Sequence, residues 1–275
     1  MQNFFSSIPI YWINLNDSTD RFNSSTSQLK NYSNNLRIEA VDGRNTDLFE
    51  KNYSIKFKSN KSNFTNSLIA VVCSHMKAIK KAYDNKLSEV CIFEDDFNLD
   101  LLNVYPHSLK DIISKAPKGW QVIQLYYYDV IVNKDGDNLT EANIKSYSKN
   151  GLQLLKPYPC YSGTSYIINR SGMEKILTDI VDTDGNKKFF FKISANSPER
   201  IIFHSLNYFV VNIPPILHVN HVSTLESYIK NTKKKDSTND QAANGKRLLS
   251  FLTTIKKNNE KKTDDLVILN KVSIY

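Results

Sequence analysis

The chain has 275 residues, 40% hydrophobic and 11% aromatic, with only 8 glycines and 8 prolines. That is enough apolar material for a full core in one large domain, or one domain with an appendage, and it excludes wholesale disorder. The formal charge of +8 raises the question of a polyanionic partner.

Taken in chain order, Ile8–Leu15 (IPIYWINL) is rich in β-branched and aromatic residues and stops at Asn16-Asp17-Ser18. This predicts a strand, then a helix over Ser18–Tyr32. Leu36–Val41 reads as a second short strand closed by Asp42-Gly43, and the polar stretch to Phe64 as a loop. Leu68, Ile69, Val72, Met76, Ile79, Ala82 and Tyr83 repeat at three- and four-residue steps, an amphipathic helix. It feeds Glu89–Phe93, an apolar run typical of a buried parallel strand, which ends abruptly in Glu94-Asp95-Asp96. A helix over Leu101–Lys115 and a buried strand over Trp120–Tyr126 follow, then a polar loop over Asp129–Asn150. Tyr161–Ile168 reads as strand, Ser171–Val181 as helix, Pro198–Leu206 as helix and Tyr208–Ile213 as strand.

This alternation predicts an α/β fold with a mostly parallel central sheet over residues 1–225. Residues 226–275 read as a basic, partly helical extension. It carries the run Lys233-Lys234-Lys235 and two short apolar patches, Leu248–Ile255 and Leu266–Leu269. Its eleven basic and six acidic residues account for +5 of the total charge. No internal repeats are evident.

Several function classes fall away. The longest apolar runs have six residues, against roughly 20 for a membrane-spanning helix. The first residues lack a basic region and a small-residue cleavage site, so the expectation is a cytoplasmic protein without a signal peptide. Cys73, Cys91 and Cys160 are odd in number, lie in apolar surroundings and lack C-x-x-C spacing, as suits reduced core thiols. The sequons at Asn16, Asn23, Asn52, Asn63 and Asn138 are a by-product of abundant Asn and Ser. Only 6 of the 36 basic residues are Arg, the residue that reads bases and grips phosphates bidentately, so nucleic acid is not the expected partner. P-loop, G-x-G-x-x-G, G-x-S-x-G and H-E-x-x-H motifs do not occur.

Three places could carry chemistry. Glu94-Asp95-Asp96 puts three carboxylates at the end of a buried strand, where ligand crevices of α/β sheets lie. A divalent cation with a taste for oxygen, Mg²⁺ or Mn²⁺, would relieve their repulsion. A solvated acidic turn capping the next helix is the plainer alternative. Ser74-His75 is a polar pair inside the amphipathic helix, either functional or a hydrogen-bonded core histidine. Pro214–His221 (PPILHVNH) sets two histidines directly after a strand, where either could complete an oxygen-rich metal site.

In order, Ile13-Asn14-Leu15 with Asp20-Arg21, Ala40–Gly43, Cys73-Ser74-His75 with Ala78-Ile79, and Ile92–Asp96 form a recognisable series. Gly163–Ile168 and Ser223-Thr224-Leu225 complete it. The series resembles glycosyltransferase family 25, which includes bacterial lipooligosaccharide galactosyltransferases and collagen hydroxylysine galactosyltransferases. The resemblance implies a GT-A-like nucleotide-sugar-binding domain and an inverting, UDP-sugar-dependent hexosyl transfer. UDP-galactose or UDP-glucose would be the donor, and a glycan, lipooligosaccharide or hydroxylysine the acceptor.

In that scheme Asp96 and Glu94 hold Mn²⁺ (or Mg²⁺), completed by His218 or else His221. Asn14, Leu15, Arg21, Asp42, Gly43, Ser74, His75, Glu94, Asp95, Gly163 and Thr164 line the nucleotide sugar. Glu199, opening a helix after Ser197-Pro198, is the implied catalytic base, with Asp95 a second catalytic carboxylate. The competing class is a non-catalytic GT-A-fold binding protein or a basic adaptor for polyanions. The Lys-rich extension also suits peripheral contact with an anionic membrane.

Overall fold

Strand β1 (Ile10–Asn14) is buried along all five residues, and β4 (Glu89–Glu94) over its four central ones. Strands covered on both faces read as unbroken apolar runs, which is why both stand out in the sequence. The computed structural model describes residues 4–44, 54–57, 66–127, 139–156, 162–180, 188–191, 198–203, 205–219 and 243–260. Within them a seven-stranded sheet runs in the spatial order β2 (Asn35–Glu39), β1, β4, β8 (Ser165–Asn169), β6 (Val122–Gln124), β10 (Tyr208–Val211) and β7 (Leu154–Leu155).

Both β2 and β4 lie parallel to β1, and β10 lies parallel to β6. Between these blocks β8 runs antiparallel to both β4 and β6. The short β7 closes the far edge antiparallel to β10. Five of the seven strands therefore point the same way, the mostly parallel α/β sheet expected, with β8 as a reversed wedge in its middle. A separate parallel pair joins β3 (Ser54–Phe57) to β9 (Lys188–Phe191). The strand β3 falls in a stretch expected to be loop.

Alternation along the strands divides the core into two layers. Ile10, Trp12, Cys91 and Phe93 face one layer together with Phe5, Leu101 and Leu109. Tyr11, Ile13, Val90 and Ile92 face the other. There they meet helix α2 (Asn66–Asp84), whose buried Val72, Met76 and Ile79 keep the helical spacing. Helix α1 (Thr19–Leu29) connects β1 to β2 and buries Leu29 in the first layer. Cys73 and Cys91 are buried free thiols, and burial pushes the Cys73 thiol up to about 12.

Besides β3, three expectations differ from what forms. The helix expected over Leu101–Lys115 breaks into a 3₁₀ turn at Asp100–Asn103 and α3 (Leu109–Ser114). Pro106 between them has no N–H to give and holds its predecessor extended. The loop expected over Asp129–Asn150 contains α4 (Leu139–Asn150). Its inward face is mostly polar or amphipathic: Asn143 donates to the Tyr127 hydroxyl, and Tyr147 bonds His107 at 2.6 Å. Such a face leaves little apolar periodicity to read. Helix α5 (Arg170–Ile180) falls where Ser171–Val181 was expected, while the helix expected over Pro198–Leu206 is the shorter α6 (Pro198–Phe203).

Residues 243–260 form helix α7. Leu248 and Leu252, four apart, are 3% and 0% exposed and join the same core layer as Phe93. Arg247 pairs with Glu141 of α4 at 2.7 Å, and Lys256 donates to the Asn103 carbonyl. The boundary expected at 225 lies outside the described residues, but over 243–260 the basic extension is packed into the domain core. No helix among the described residues is long and apolar enough to cross a membrane.

Candidate active site

The parallel strands β1, β2 and β4 end at one edge of the sheet, and a cleft opens there. Asn14, Leu15 and Arg21 line it from the end of β1 and from α1. Asp42 and Gly43 line it from the turn after β2, Ser74 and His75 from α2, and Glu94, Asp95 and Asp96 from the end of β4. Ten of the positions singled out in the sequence thus meet in one place.

The three carboxylates part ways, each to its own partner. Asp95 is 8% exposed. Its Oδ2 accepts from Asn14 Nδ2 at 2.7 Å and its Oδ1 from Arg21 Nη1 at 2.9 Å. Burial pushes the Asp95 carboxyl upward, and Asp96 adds to this. The bonds and charge of Asn14 and Arg21 oppose that shift without cancelling it. Asn14 is itself oriented by Arg37, whose Nε donates to its Oδ1 at 3.0 Å.

Glu94 turns the other way. Its Oε1 lies 3.0 Å from His75 Nε2, and His75 Nδ1 lies 3.1 Å from the Tyr166 hydroxyl. His75 and Tyr166 are both fully buried, while the Glu94 side chain keeps 30% of its surface exposed in the cleft. The carboxylate can only accept, so a neutral His75 carries its proton on Nε2 and takes the Tyr166 O–H on Nδ1. This tautomer follows from the partners. Proximity to Glu94 adds to burial in holding the Tyr166 phenol well above its ordinary range.

Asp96 pairs with a residue far along the chain. Strand β5 (Phe97–Asn98) pairs antiparallel with β11 (Leu217–His218), with His218 opposite Phe97. That short ladder brings His218 Nε2 to 3.1 Å from Asp96 Oδ2. The His218 ring also stacks on Tyr126 at 5.9 Å. Burial lowers its pKa, but the Asp96 hydrogen bond and the charges of Asp96 and Glu94 outweigh this and raise it. The three carboxylates thus each meet a nitrogen-bearing side chain, Glu94 that of His75, Asp95 those of Arg21 and Asn14, and Asp96 that of His218.

The remaining predicted positions divide. Ser74 Oγ accepts from the Val41 N–H at 2.8 Å and donates to the Ala70 carbonyl, pinning the turn that carries Asp42 and Gly43. A Cβ on Gly43 would lie 2.5 Å from the Asn66 carbonyl oxygen, so only glycine fits against α2. Asp42 sits at the exposed rim, where hydrogen bonding to Arg44 holds its carboxyl below the usual range. Gly163 and Thr164 stand behind Glu94: the Thr164 carbonyl accepts the Glu94 N–H, and a Cβ on Gly163 would lie 2.7 Å from Glu94 Oε1. Glu199 opens α6, which packs on α2, and is not among the residues lining the cleft. His221 lies outside the described residues.

Several contributors escaped the sequence reading. Tyr166 is hidden within an apolar strand, Arg37 within the short β2, and Tyr126 after β6. Tyr166 falls within the Gly163–Ile168 motif but was given no role there, while Arg37 and Tyr126 lie outside every motif; three-dimensional proximity reveals all three.

An α/β sheet with a reversed strand and an acidic cleft at the carboxyl ends of its parallel strands is consistent with a GT-A-like fold. Residues 7–184 match the model of glycosyltransferase family 25 (LPS biosynthesis protein), and the chain belongs to that family. Its activity is glycosyl transfer. No curated protein matches the sequence. Among solved structures, a glycosyltransferase involved in the glycosylation of the major capsid of PBCV-1 has 9% identity and a TM-score of 0.41. The likeness covers 74% of this chain and 80% of that one. It is too slight to carry an assignment.

Proposed function

We propose that this glycosyltransferase moves galactose or glucose from a UDP-sugar, with inversion, to a hydroxyl of a glycan, lipooligosaccharide or hydroxylysine, with Mn²⁺ or Mg²⁺ at Asp96 and His218. The observation that carries this reading is the Asp96–His218 pair at the end of the strand-edge cleft. Asp96 Oδ1 and His218 Nδ1 are buried and have no hydrogen-bond partner among the described residues. Also among the described residues, no three His, Cys, Asp or Glu side chains form a metal cage. A two-residue set suits a cation that takes the rest of its shell from water and substrate phosphates, as Mg²⁺ commonly does. When bound, the cation would offset the negative charge that develops on the departing diphosphate.

The protein's own residues have distinct parts in this scheme. Asn14, Leu15, Asp42 and Gly43 would bracket the nucleoside. Asp95 accepts from Asn14 on one oxygen and Arg21 on the other, and would hold both in place. Arg21 would face the diphosphate as a fixed positive charge. Glu94, steadied by His75, would accept a hydroxyl of the donor sugar.

In the transfer, the acceptor oxygen bonds to the anomeric carbon as the bond from that carbon to the diphosphate breaks. UDP leaves with the electron pair, and the acceptor proton passes to a base. The placement of Glu199 on the α2 side, away from the cleft lining, gives no support to its role as that base.

Asp96→Ala is the direct test. Release of UDP from UDP-galactose and UDP-glucose in Mn²⁺ should fall by at least about a hundredfold, the scale of losing one charge-stabilising group. The melting temperature should stay near wild type. A folded variant that keeps its activity would sink the metal assignment. Stabilisation against heat by UDP with Mn²⁺, and not by duplex DNA, separates this reading from a basic adaptor.

A further inference from the structure

Several costs to stability meet at one place behind the cleft. Gln124, the last residue of β6, is fully buried, and its Oε1 has no hydrogen-bond partner among the described residues. Ser165, the first residue of the neighbouring β8, is fully buried too, and its Oγ has no partner among them either. Buried polar atoms left unpaired destabilise a fold. Ser162 adopts a φ of 136°, where side chains of L-residues rarely go. A glycine would take that φ freely, and an apolar side chain at 124 would leave no acceptor unpaired there.

One contact joins these features. Gln124 Nε2 donates to the Ser162 carbonyl at 2.8 Å. Ser162 Oγ accepts from the Thr164 N–H at 3.0 Å and donates to Thr164 Oγ1 at 2.9 Å. Segment 162–164 is thus gripped from β6 and closed on itself. It also touches the site. The Thr164 carbonyl accepts the Glu94 N–H at 2.9 Å, and a Cβ on Gly163 would lie 2.7 Å from Glu94 Oε1 and 3.2 Å from His75 Nε2.

We infer that Gln124 and Ser162 are positioning residues for the sugar-transfer step. Gln124 holds segment 162–164 in its strained form, and the Gly163 backbone then acts as the stop that keeps Glu94 on His75. The inference rests on the transferase reading above, and within it on Glu94 meeting the donor sugar. Neither Gln124 nor Ser162 is among the residues lining the cleft, so both act through Gly163 and Thr164. A relaxed segment would withdraw from Glu94, and the carboxylate would leave His75 and lose its aim at the sugar. A role in the fold alone does not account for the strain or the unpaired oxygens, since relieving either would make the fold more stable.

The test uses the full chain with Mn²⁺ and UDP-galactose or UDP-glucose as donor. Ser162→Gly keeps the backbone path open without the strain, and Gln124→Met conserves volume while removing the amide. Ser162→Gly should melt at or above the wild-type temperature, yet its kcat for UDP release should fall about tenfold or more. Gln124→Met should lose kcat to a similar extent. Affinity for UDP, which carries no sugar, should stay within about twofold of wild type in both variants. Because both residues act on one segment, the double variant should lose no more than the worse single one. A folded Ser162→Gly chain with wild-type kcat overturns the inference, whatever Gln124→Met does. A matching loss of UDP affinity also overturns it, as the mark of a general disturbance of the cleft. Losses that multiply in the double variant overturn the shared route through segment 162–164. A wild-type chain that releases UDP from neither donor overturns the transferase reading, and this inference with it.

Discussion

At the scale of single residues, the cleft depends on side chains that hold other side chains. Glu94 is held by His75, His75 by Tyr166, and the space for Glu94 and His75 is kept by the missing side chain of Gly163. Gly163→Ala should therefore act on the chemistry more than on the fold. The new methyl would meet the flexible end of Glu94 rather than backbone, so the carboxylate moves off His75. Sugar transfer should drop about tenfold or more, with the melting temperature lowered by only a few degrees. A large loss of stability with normal activity per folded molecule would contradict this. Gly43→Ala, in contrast, presses on the backbone of α2 and should reduce stability directly.

The same scale shows what the sequence could and could not disclose. Glu94-Asp95-Asp96 announces itself because charge ends an apolar run. Its meaning depends on partners 81 residues away for Asp95 and Asn14, and 122 away for Asp96 and His218. Ser74-His75 was legible as an anomaly in a helix face, but its two roles were not. The serine pins a turn, while the histidine, fully buried, braces a carboxylate instead of meeting substrate openly.

Among the elements, those buried on both faces or strongly amphipathic were readable: β1, α2 and β4. Two of the misread ones, α4 and the broken segment before α3, have their positions set by polar contacts and a proline. Helix α3 shows how such an element is held. Ser108 caps it by accepting from the Asp111 N–H, and Asp111 Oδ2 accepts in return from the Ser108 N–H at 2.7 Å. Ser108→Ala should cost about 1 kcal/mol in urea unfolding.

This cap also predicts a pH dependence. Hydrogen bonds from Ser108 hold the Asp111 carboxyl below its ordinary value. A lowered folded pKa stabilises above the unfolded value of about 3.9 and ceases to do so as pH falls through the folded value. The difference in melting temperature between wild type and Asp111→Asn should thus be full near pH 6 and shrink toward about pH 2.

For the whole molecule, α7 belongs to the fold that carries the cleft. Its Leu252 is fully buried against the layer built by β1 and β4, so Leu252→Ala should cost about 2–5 kcal/mol. Truncation before residue 243 should leave that layer open and the chain prone to aggregation, measured by light scattering on mild heating. A truncated chain that melts like the full one would show that α7 adds nothing to the core. The composition gave no hint of this role, since two leucines in a lysine-rich stretch look like an isolated patch until the layer they fill is seen.

The pairing of β5 with β11 has a consequence in time as well as in space. During synthesis the acidic end of β4 emerges 122 residues before the histidine that completes it. The wedge β8 and the strand β10 are also made before β11. Closing so long a loop is slow and rewards the chain only at the end. The two halves of the site therefore meet as a late event in folding, and a nascent chain that already holds its nucleotide-cleft residues has not yet acquired its Asp96–His218 pair.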